Sequence, residues 1–203
     1  MSKKPVFVFE GIEGSGKTHH ITYLSRYLKS KKISFFKLRE PGGSLNSEKI
    51  RRIILNNKSN FNKTTDLLLY LSARSENISL LKKHYKKRII LIDRFVDSTI
   101  AYQHYGFGVK LELINLINDY ILKDFKVDFT FVNIVSKKNM ISRLKQRKSL
   151  NRYDKFNLNF YQKVQNGFLR LAKNNKKKYK IINSNLSKRN NQELIIETIK
   201  KFL

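Results

Sequence analysis

The amino-acid sequence predicts an α/β fold, a five-stranded parallel sheet with helices on both faces. Short apolar segments alternate with longer segments of helical periodicity along the chain, and this alternation favours a parallel sheet. One apolar segment, Ile89-Ile90-Leu91-Ile92, contains no polar residue, which is typical of a central parallel strand covered on both faces. A glycine-rich loop at 11–18 joins the first strand to the first helix. Ligands of such sheets bind beyond the carboxyl ends of the strands.

Five strands are predicted from short apolar runs, at 5–10, 33–38, 89–92, 129–134 and 179–182. Helices are predicted from apolar spacing of three and four, at 19–31, 44–55, 65–86, 110–122, 137–145, 158–174 and 192–202. The first helix is expected to direct Ile21, Leu24, Tyr27 and Leu28 inward, and Ser44 or Asn46 is expected to cap the second. A polar loop at 56–63 precedes the long third helix, in which Leu68, Leu71, Ile78 and Leu81 are expected to face the core. Tyr102 and Gln103 fall on a helix or a loop.

Length and composition indicate one domain, residues 1–203. Hydrophobic residues make up 40% of the 203, which is enough for a core, and no repeat or long linker divides the chain. No apolar run approaches the roughly 20 residues needed to cross a bilayer, so no membrane partner is expected. Residues 1–5 lead directly into a strand, without the apolar segment of a signal peptide. Since the chain also has no cysteine, we expect a cytoplasmic enzyme.

The net charge has two interpretations. Lys and Arg number 43 against 15 Asp and Glu, a formal charge of +28, which is typical of proteins that bind nucleic acid or another polyanion. Lys, Asn and Ile are also abundant together, as compositional drift would produce. We favour drift, so nucleic acid is not expected as a partner, although a basic field would speed the capture of anionic nucleotides.

The loop at 11–18 carries the strongest chemical signal. Its residues fill every position of the phosphate-binding pattern GxxxxGK[ST]: Gly11, Ile12, Glu13, Gly14, Ser15, Gly16, Lys17 and Thr18. Backbone N–H groups of such a loop surround phosphate oxygens, and the helix that follows directs its positive end at the same point. Lys17 is expected on the outer phosphates and the Thr18 hydroxyl on a magnesium ion. A strand, this loop and a helix predict the three-layer P-loop NTPase fold and ATP binding.

Charged residues gather at the predicted carboxyl ends of the strands. Five of the fifteen acidic residues fall there: Glu10, Glu13, Glu40, Asp93 and Asp97. Asp93, directly after an apolar strand, is expected to hold magnesium with Thr18, the alternative being a helix cap. Arg94 and Arg74 are candidate phosphate clamps. The alternative for Arg74 is a surface ion pair.

Several motifs together resemble thymidylate kinases. They follow one another in order: residues 11–18, Arg39-Glu40-Pro41-Gly42-Gly43, Leu68 to Arg74, Asp93-Arg94-Phe95 with Ser98-Thr99 and Ala101-Tyr102-Gln103, and the basic stretch 143–152. The resemblance covers residue 6 to about 185. The phosphate loop is shared by many families, whereas the Arg-Glu-Pro-Gly-Gly block together with Asp-Arg is much more specific.

The resemblance implies magnesium-dependent transfer of the γ-phosphate of ATP to dTMP, giving dTDP and ADP for dTTP synthesis. The acceptor site it implies comprises Glu13, Arg39, Pro41, Tyr70, Arg74, Arg94, Thr99, Tyr102 and Gln103. In it, Arg74 and Arg94 hold the phosphate and Tyr70 stacks on thymine. Thr99 and Gln103 form the polar part of the pocket. Tyr102 excludes a 2′-hydroxyl and Glu13 meets the 3′-hydroxyl.

The resemblance also implies a lid at about 143–157 and a homodimer packed through helices. Glu13-Gly14 in the loop has no arginine, as in the bacterial arrangement in which the lid supplies the basic groups. Arg147, Lys148 and Arg152 are the candidates, and the alternative for them is a solvated basic helix. Lys17, Arg94, Arg147 and Arg152 are therefore the predicted catalytic residues. The sequence leaves the isomer of the Glu40–Pro41 bond open.

Three other functions remain possible from the sequence. A kinase for another nucleoside monophosphate or for a deoxynucleoside would keep the phosphate loop but lose the joint Arg-Glu-Pro-Gly-Gly and Tyr102-Gln103 pattern. A nucleic-acid-binding ATPase with the same loop would bind DNA in a salt-sensitive way. A nucleotide switch would bind without multiple turnover.

Overall fold

The sheet has five parallel strands in the order β2-β3-β1-β4-β5. In the computed structural model, which describes residues 4–203, they are β1 (Val6–Glu10), β2 (Phe35–Arg39), β3 (Ile89–Asp93), β4 (Phe129–Ile134) and β5 (Tyr179–Asn183). The predicted five-stranded parallel sheet is therefore confirmed. Residues 1–3 lie outside the described residues. They belong to the stretch 1–5, in which the sequence predicts no signal peptide.

Eight α-helices are described. They are α1 (Lys17–Ser30), α2 (Leu45–Leu55), α3 (Lys63–His84), α4 (Val96–Thr99), α5 (Leu111–Leu122), α6 (Lys137–Lys145), α7 (Leu158–Asn174) and α8 (Lys188–Lys200). A π-helix, Ile100–Gly106, continues α4, and a 3₁₀ turn, Arg152–Lys155, lies between α6 and α7. None of the helices among residues 4–203 is both long and apolar enough to span a membrane.

Two sequence predictions about the helices are wrong. Leu68 was expected in the core but is 49% exposed, because Leu67 and Leu71 occupy the inward face of α3. The last helix begins at Lys188, earlier than the predicted residue 192. Its first turn is anchored by buried Asn191, whose amide donates to the backbone oxygen of Asn183 at 2.9 Å.

Each face of the sheet has its own core. Alternate side chains of a strand point to opposite faces, so Phe7, Phe9 and Phe131 pack under α1 and α8, whereas Val8 and Ile92 pack under α3. Burial of one large apolar side chain contributes about 1.5–3 kcal/mol. This packing on both faces fixes the position of the central strands.

The strand order sets the place of the site. β1 and β3 are neighbours, and the chain continues from β1 to β2 on one side of the sheet and from β3 to β4 on the other. In the pairing register Asp93 lies opposite both Phe9 and Arg39. The carboxyl ends of β1, β2 and β3 therefore bring their loops together at one edge of the sheet.

Candidate active site

The phosphate-binding loop follows β1 and ends in the first turn of α1. Gly11 has φ 136°, and a Cβ atom there would lie 2.2 Å from the backbone oxygen of Asn133, so only glycine fits. Gly16, with φ 88°, occupies the N-cap of α1, and no side chain caps this helix end. The N–H groups at the very start of α1, those of Lys17 and Thr18, are therefore available to an anion, whereas the His19 N–H donates to the Gly16 oxygen at 3.1 Å.

Lys17 is buried in this loop. Its Nζ donates to the backbone oxygens of Gly11 at 2.7 Å and Ile12 at 3.0 Å. Burial, and next the positive charge of Arg94, lower the pKa of Lys17 to about 7. Anionic phosphates beside the ammonium group would favour its charged form, so the pKa is expected to rise when nucleotide binds.

Two oxygen ligands suited to magnesium meet beside the loop. The Thr18 hydroxyl donates to Asp93 Oδ2 at 3.1 Å, and both groups line the same cavity. A hydroxyl and a carboxylate are hard oxygen ligands, the kind that Mg²⁺ takes together with water and substrate phosphates. No group of three or more His, Cys, Asp or Glu that could hold a metal occurs among residues 4–203. The pair therefore fits a magnesium ion that nucleotide phosphates help to hold.

A cavity of about 270 Å³ opens in front of the loop. Most of the predicted site residues line it: Glu13, Lys17, Thr18, Arg39, Pro41, Tyr70, Asp93, Arg94, Tyr102, Gln103 and Arg147. Further lining residues are Glu40, Arg51, Leu55, Ser98, Asn151 and Tyr153. The phosphate loop, the ends of β2 and β3, α2, α3, the π-helix and the segment 143–157 thus meet at one concave site.

Glu13, Arg94 and Tyr102 form a hydrogen-bonded group in this cavity. Arg94 Nη2 donates to Glu13 Oε1 at 2.8 Å, and the Tyr102 hydroxyl donates to Glu13 Oε2. The Arg94 guanidinium also lies 5.2 Å from the centre of the Tyr102 ring. Burial raises the pKa of Tyr102 well above its usual value, so this hydroxyl remains a donor.

The backbone of Arg94 is strained. Its φ of 68° lies in the left-handed region, which is uncommon for a residue other than glycine. Such strain costs of the order of 1–3 kcal/mol and persists where the surroundings impose it. Here the Arg94 N–H donates to the Phe9 oxygen at 3.0 Å, and the conformation places the guanidinium against Glu13 in the cavity.

Outside the phosphate loop, three predicted site residues do not line the cavity; within the loop, Gly11, Ile12, Gly14, Ser15 and Gly16 do not line it either. Arg74 is buried, and its guanidinium donates from Nε to Glu40 Oε2 at 2.9 Å and from Nη1 to Asn118 Oδ1 at 2.7 Å. Thr99 is 1% exposed, and its hydroxyl has no hydrogen-bond partner among the described residues. Arg152 donates from Nη2 to Asp66 Oδ1. Arg74 is thus in an ion pair, buried rather than at the surface, and its contact with a phosphate stays a prediction.

Arg39 and the residues after it form one rim of the cavity. Arg39 is half exposed and donates to Glu48 Oε1 at 2.9 Å. The Glu40–Pro41 peptide bond, whose isomer the sequence left open, is cis.

The comparison with known proteins agrees with this geometry. The sequence model of the thymidylate kinase family matches residues 9–195. The chain belongs to the thymidylate kinase family. The resemblance and the P-loop NTPase fold predicted from the sequence are confirmed.

Individual thymidylate kinases match nearly the whole chain. The chain is 41% identical to the thymidylate kinase of Thermosipho africanus, over 81% of this chain and 83% of that protein. It is 38% identical to that of Wolbachia sp. subsp. Brugia malayi, over 91% of this chain and 89% of that protein. The crystal structure of thymidylate kinase from Ehrlichia chaffeensis superposes with a TM-score of 0.78 at 29% identity and covers 98% of this chain and 99% of that one.

Two arginines at or beside the cavity were not among the candidate site residues predicted from the sequence. Arg51 of α2 lines the cavity and donates to the Pro41 oxygen at 2.6 Å. Arg143 of α6 donates from Nη1 to the Gly14 oxygen and from Nη2 to the Ser184 oxygen, each at 2.8 Å, so it ties the phosphate loop to the segment after β5. Arg143 opens the basic stretch that was assigned to the lid. Arg51 has no local signal, because only the direction of α2 relative to the cis-proline loop brings it to the cavity.

The pKa of Lys17 predicts proton uptake when ATP binds. At pH 8 most Lys17 is neutral, because its pKa is about 7, and the bound phosphates restore its charge. Binding of a non-hydrolysable ATP analogue with Mg²⁺ should therefore take up about one proton. Isothermal titration calorimetry in two buffers of different ionisation enthalpy measures this number. Lys17→Met should bind more weakly and without uptake, and a wild-type value of zero at pH 8 would contradict the prediction.

Proposed function

We propose that this chain transfers the γ-phosphoryl group of ATP to dTMP, giving dTDP and ADP, with Mg²⁺ as cofactor. The observation that carries the proposal is a single cavity in which phosphate-loop residues, strand-end arginines and aromatic and polar side chains of α3 and the π-helix all take part. Phosphoryl transfer requires alignment of two phosphate groups and neutralisation of their charge, with little covalent chemistry from the protein. A cavity that combines these groups is suited to both requirements.

The donor nucleotide is proposed to bind at residues 11–18. Loop N–H groups and the start of α1 hold the phosphates, and Lys17 contributes its charge to the outer ones. Thr18 and Asp93 would hold the magnesium ion, which neutralises charge on the β- and γ-phosphate oxygens when bound.

The phosphate of dTMP is proposed to bind between Arg94 and Arg51. Both side chains line the cavity, and a guanidinium can hold a phosphate through two parallel hydrogen bonds. Arg39 contributes positive charge at the rim. Arg74 supports this wall by holding Glu40, and its direct contact with the phosphate remains the weaker proposal.

The thymine and the sugar are proposed to occupy the rest of the cavity. Tyr70 offers a ring for stacking, and the Gln103 amide, which also lines the cavity, offers a polar contact. Thr99 is buried behind this lining, so its contact with the base stays a prediction. Glu13 would accept a hydrogen bond from the 3′-hydroxyl. Tyr102, fixed against Glu13, would leave no room for a 2′-hydroxyl.

Of the lid arginines, Arg147 is proposed to stabilise the transferring phosphoryl group. It lines the cavity and is held by Asp154, whereas Arg152 is bound to Asp66 and Lys148 is exposed outside the lining. A lid at about 143–157 would exclude water, which otherwise could accept the phosphoryl group.

The enzyme is further proposed to act in the cytoplasm as a homodimer. Leu113, Leu116 and Tyr120 lie along one face of α5 at spacings of three and four and are 41%, 69% and 78% exposed. Leu68 is exposed on α3, the helix against which α5 packs. A row of exposed apolar side chains of this kind suits contact with a second copy.

An acceptor panel tests the reaction. ADP release from ATP and Mg²⁺ would be measured with dTMP beside the deoxyuridine, deoxycytidine and ribothymidine monophosphates. We expect dTMP to be preferred over ribothymidine monophosphate by at least about tenfold in kcat/KM, because of Tyr102. Removal of Mg²⁺ with EDTA should abolish turnover. No turnover with any monophosphate, together with ADP release on addition of DNA, would instead favour a nucleic-acid-dependent ATPase.

A further inference from the structure

A single buried carboxylate joins the lid to the wall of the acceptor pocket. Asp66 lies in the first turn of α3 and is 2% exposed. Its Oδ1 accepts from Arg152 Nη2, and its Oδ2 accepts from the Tyr153 hydroxyl and from Gln103 Nε2, the last at 3.2 Å. Asp66 itself does not line the cavity.

The three donors belong to two different parts of the molecule. Arg152 and Tyr153 are in the 3₁₀ turn of the lid, whereas Gln103 is in the π-helix and lines the cavity. The Tyr153 ring also packs edge-on against Tyr70, with ring centres 5.7 Å apart, and against Tyr102, at 5.6 Å. The lid therefore contacts the side chains proposed for the base and the sugar, and Asp66 holds it there.

We propose that Asp66 is a positioning residue that couples occupancy of the dTMP pocket to closure of the lid over the ATP phosphates. The inference rests on the proposed function. A bound acceptor fixes the side chains of Gln103 and Tyr70. Gln103 shares the Asp66 carboxylate with the lid, and Tyr70 packs against the Tyr153 ring of the lid, so fixing them also restricts the position of the lid. Because such coupling is reciprocal, dTMP tightens the binding of ATP by the same factor by which ATP tightens the binding of dTMP.

The chemistry of Asp66 explains why the link is specific. An ionised carboxylate only accepts hydrogen bonds, and here all three partners are donors. Asparagine has the same shape, but its NH₂ group would face at least one of these donors. The joint hold of residue 66 on the lid and the pocket would then be weakened by the loss of at least one hydrogen bond, while α3 keeps its other contacts.

Asp66 could instead serve only to stabilise the start of α3. Asn62 provides the control for that role, because its side chain caps the same helix by accepting from the N–H groups of Thr64 and Thr65 and has no hydrogen bond to the lid. Asn62→Ala should lower the thermal stability of the chain without affecting communication between the two sites.

The test measures coupling by calorimetry. The Kd of a non-hydrolysable ATP analogue with Mg²⁺ is determined with and without saturating dTMP, in the wild type, Asp66→Asn, Tyr153→Phe and Asn62→Ala. The ratio of the two Kd values is expected to be about tenfold or more in the wild type and in Asn62→Ala. It should fall severalfold in Asp66→Asn, and it should also fall in Tyr153→Phe, which keeps the ring but removes the hydroxyl.

Each result has a defined meaning. The role of Asp66 would be overturned if Asp66→Asn kept the wild-type ratio of Kd values, or if that ratio were one in the wild type itself. In either case, binding and turnover of dTMP by the wild type would still support the proposed function. Equal loss of coupling in Asp66→Asn and Asn62→Ala would assign Asp66 a structural role only. Failure of the wild-type chain to bind dTMP would overturn the proposed function and this inference together.

Discussion

Arg94→Ala is expected to lower kcat/KM for dTMP by about a hundredfold to a thousandfold. The guanidinium of Arg94 is fixed in the cavity by its ion pair with Glu13 at 2.8 Å and by a strained backbone directly after β3. A loss of this size corresponds to about 3–4 kcal/mol of transition-state stabilisation. Initial rates over a range of dTMP concentrations at saturating ATP measure it.

Two variants and one binding measurement control this result. Arg94→Lys keeps the charge but not the planar fork, so it should recover only part of the loss. Arg52→Ala removes an exposed arginine next to Arg51 and should leave the kinetics unchanged. Since Arg94 helps to lower the pKa of Lys17, Arg94→Ala should also reduce proton uptake on binding of the ATP analogue at pH 8. A kcat/KM for dTMP within fivefold of wild type would contradict a phosphate contact by Arg94.

The sequence predicts most of the fold because its signals are local. The phosphate loop needs glycine at Gly11, where a Cβ atom would meet a backbone oxygen, and the apolar run at 89–92 is typical of a strand covered on both faces. The sequence did not decide between a helix and a loop for the segment after α4, which is a π-helix in the structure. A π-helix has about one residue more per turn than an α-helix, so its apolar residues do not follow the α-helical period. Leu68 was misplaced because Leu67, Leu68 and Leu69 fit a helical period in more than one rotation.

The site was predictable where chemistry follows a strand directly. Asp93 and Arg94 are adjacent to β3, so the register of a parallel sheet places them beside the phosphate loop. Arg74 and Arg51 lie within helices, and the tertiary packing of those helices decides which one meets the cavity. Arg74 packs against Glu40 and Asn118, whereas Arg51 reaches the Pro41 oxygen and lines the cavity. No local pattern distinguishes these two outcomes.

Arg147→Ala is expected to lower kcat by about a thousandfold and to leave the Kd for dTMP within a fewfold of wild type. An arginine that neutralises charge on the transferring phosphoryl group acts chiefly in the transition state, and its loss is typically worth about 10³-fold or more. Arg147 is partly exposed where it lines the cavity, and its partner Asp154 is fully buried. Single-turnover quench measurements at saturating substrates would separate the chemical step from product release.

The two lid arginines should differ in the kind of effect they have. Arg147→Lys keeps a positive charge beside Asp154 and should recover part of kcat, which distinguishes lost catalysis from a lid that no longer folds against its buried carboxylate. Arg152→Ala removes one of the three partners of Asp66 and should raise KM for both nucleotides more than it lowers the rate of the chemical step. The opposite result, a thousandfold lower kcat in Arg152→Ala and not in Arg147→Ala, would mean that the lid reorganises when the nucleotides bind. Arg152 would then leave Asp66 and contact the transferring phosphoryl group. In that event Asp66 would restrain the catalytic arginine in the free enzyme, and Asp66→Asn would release it.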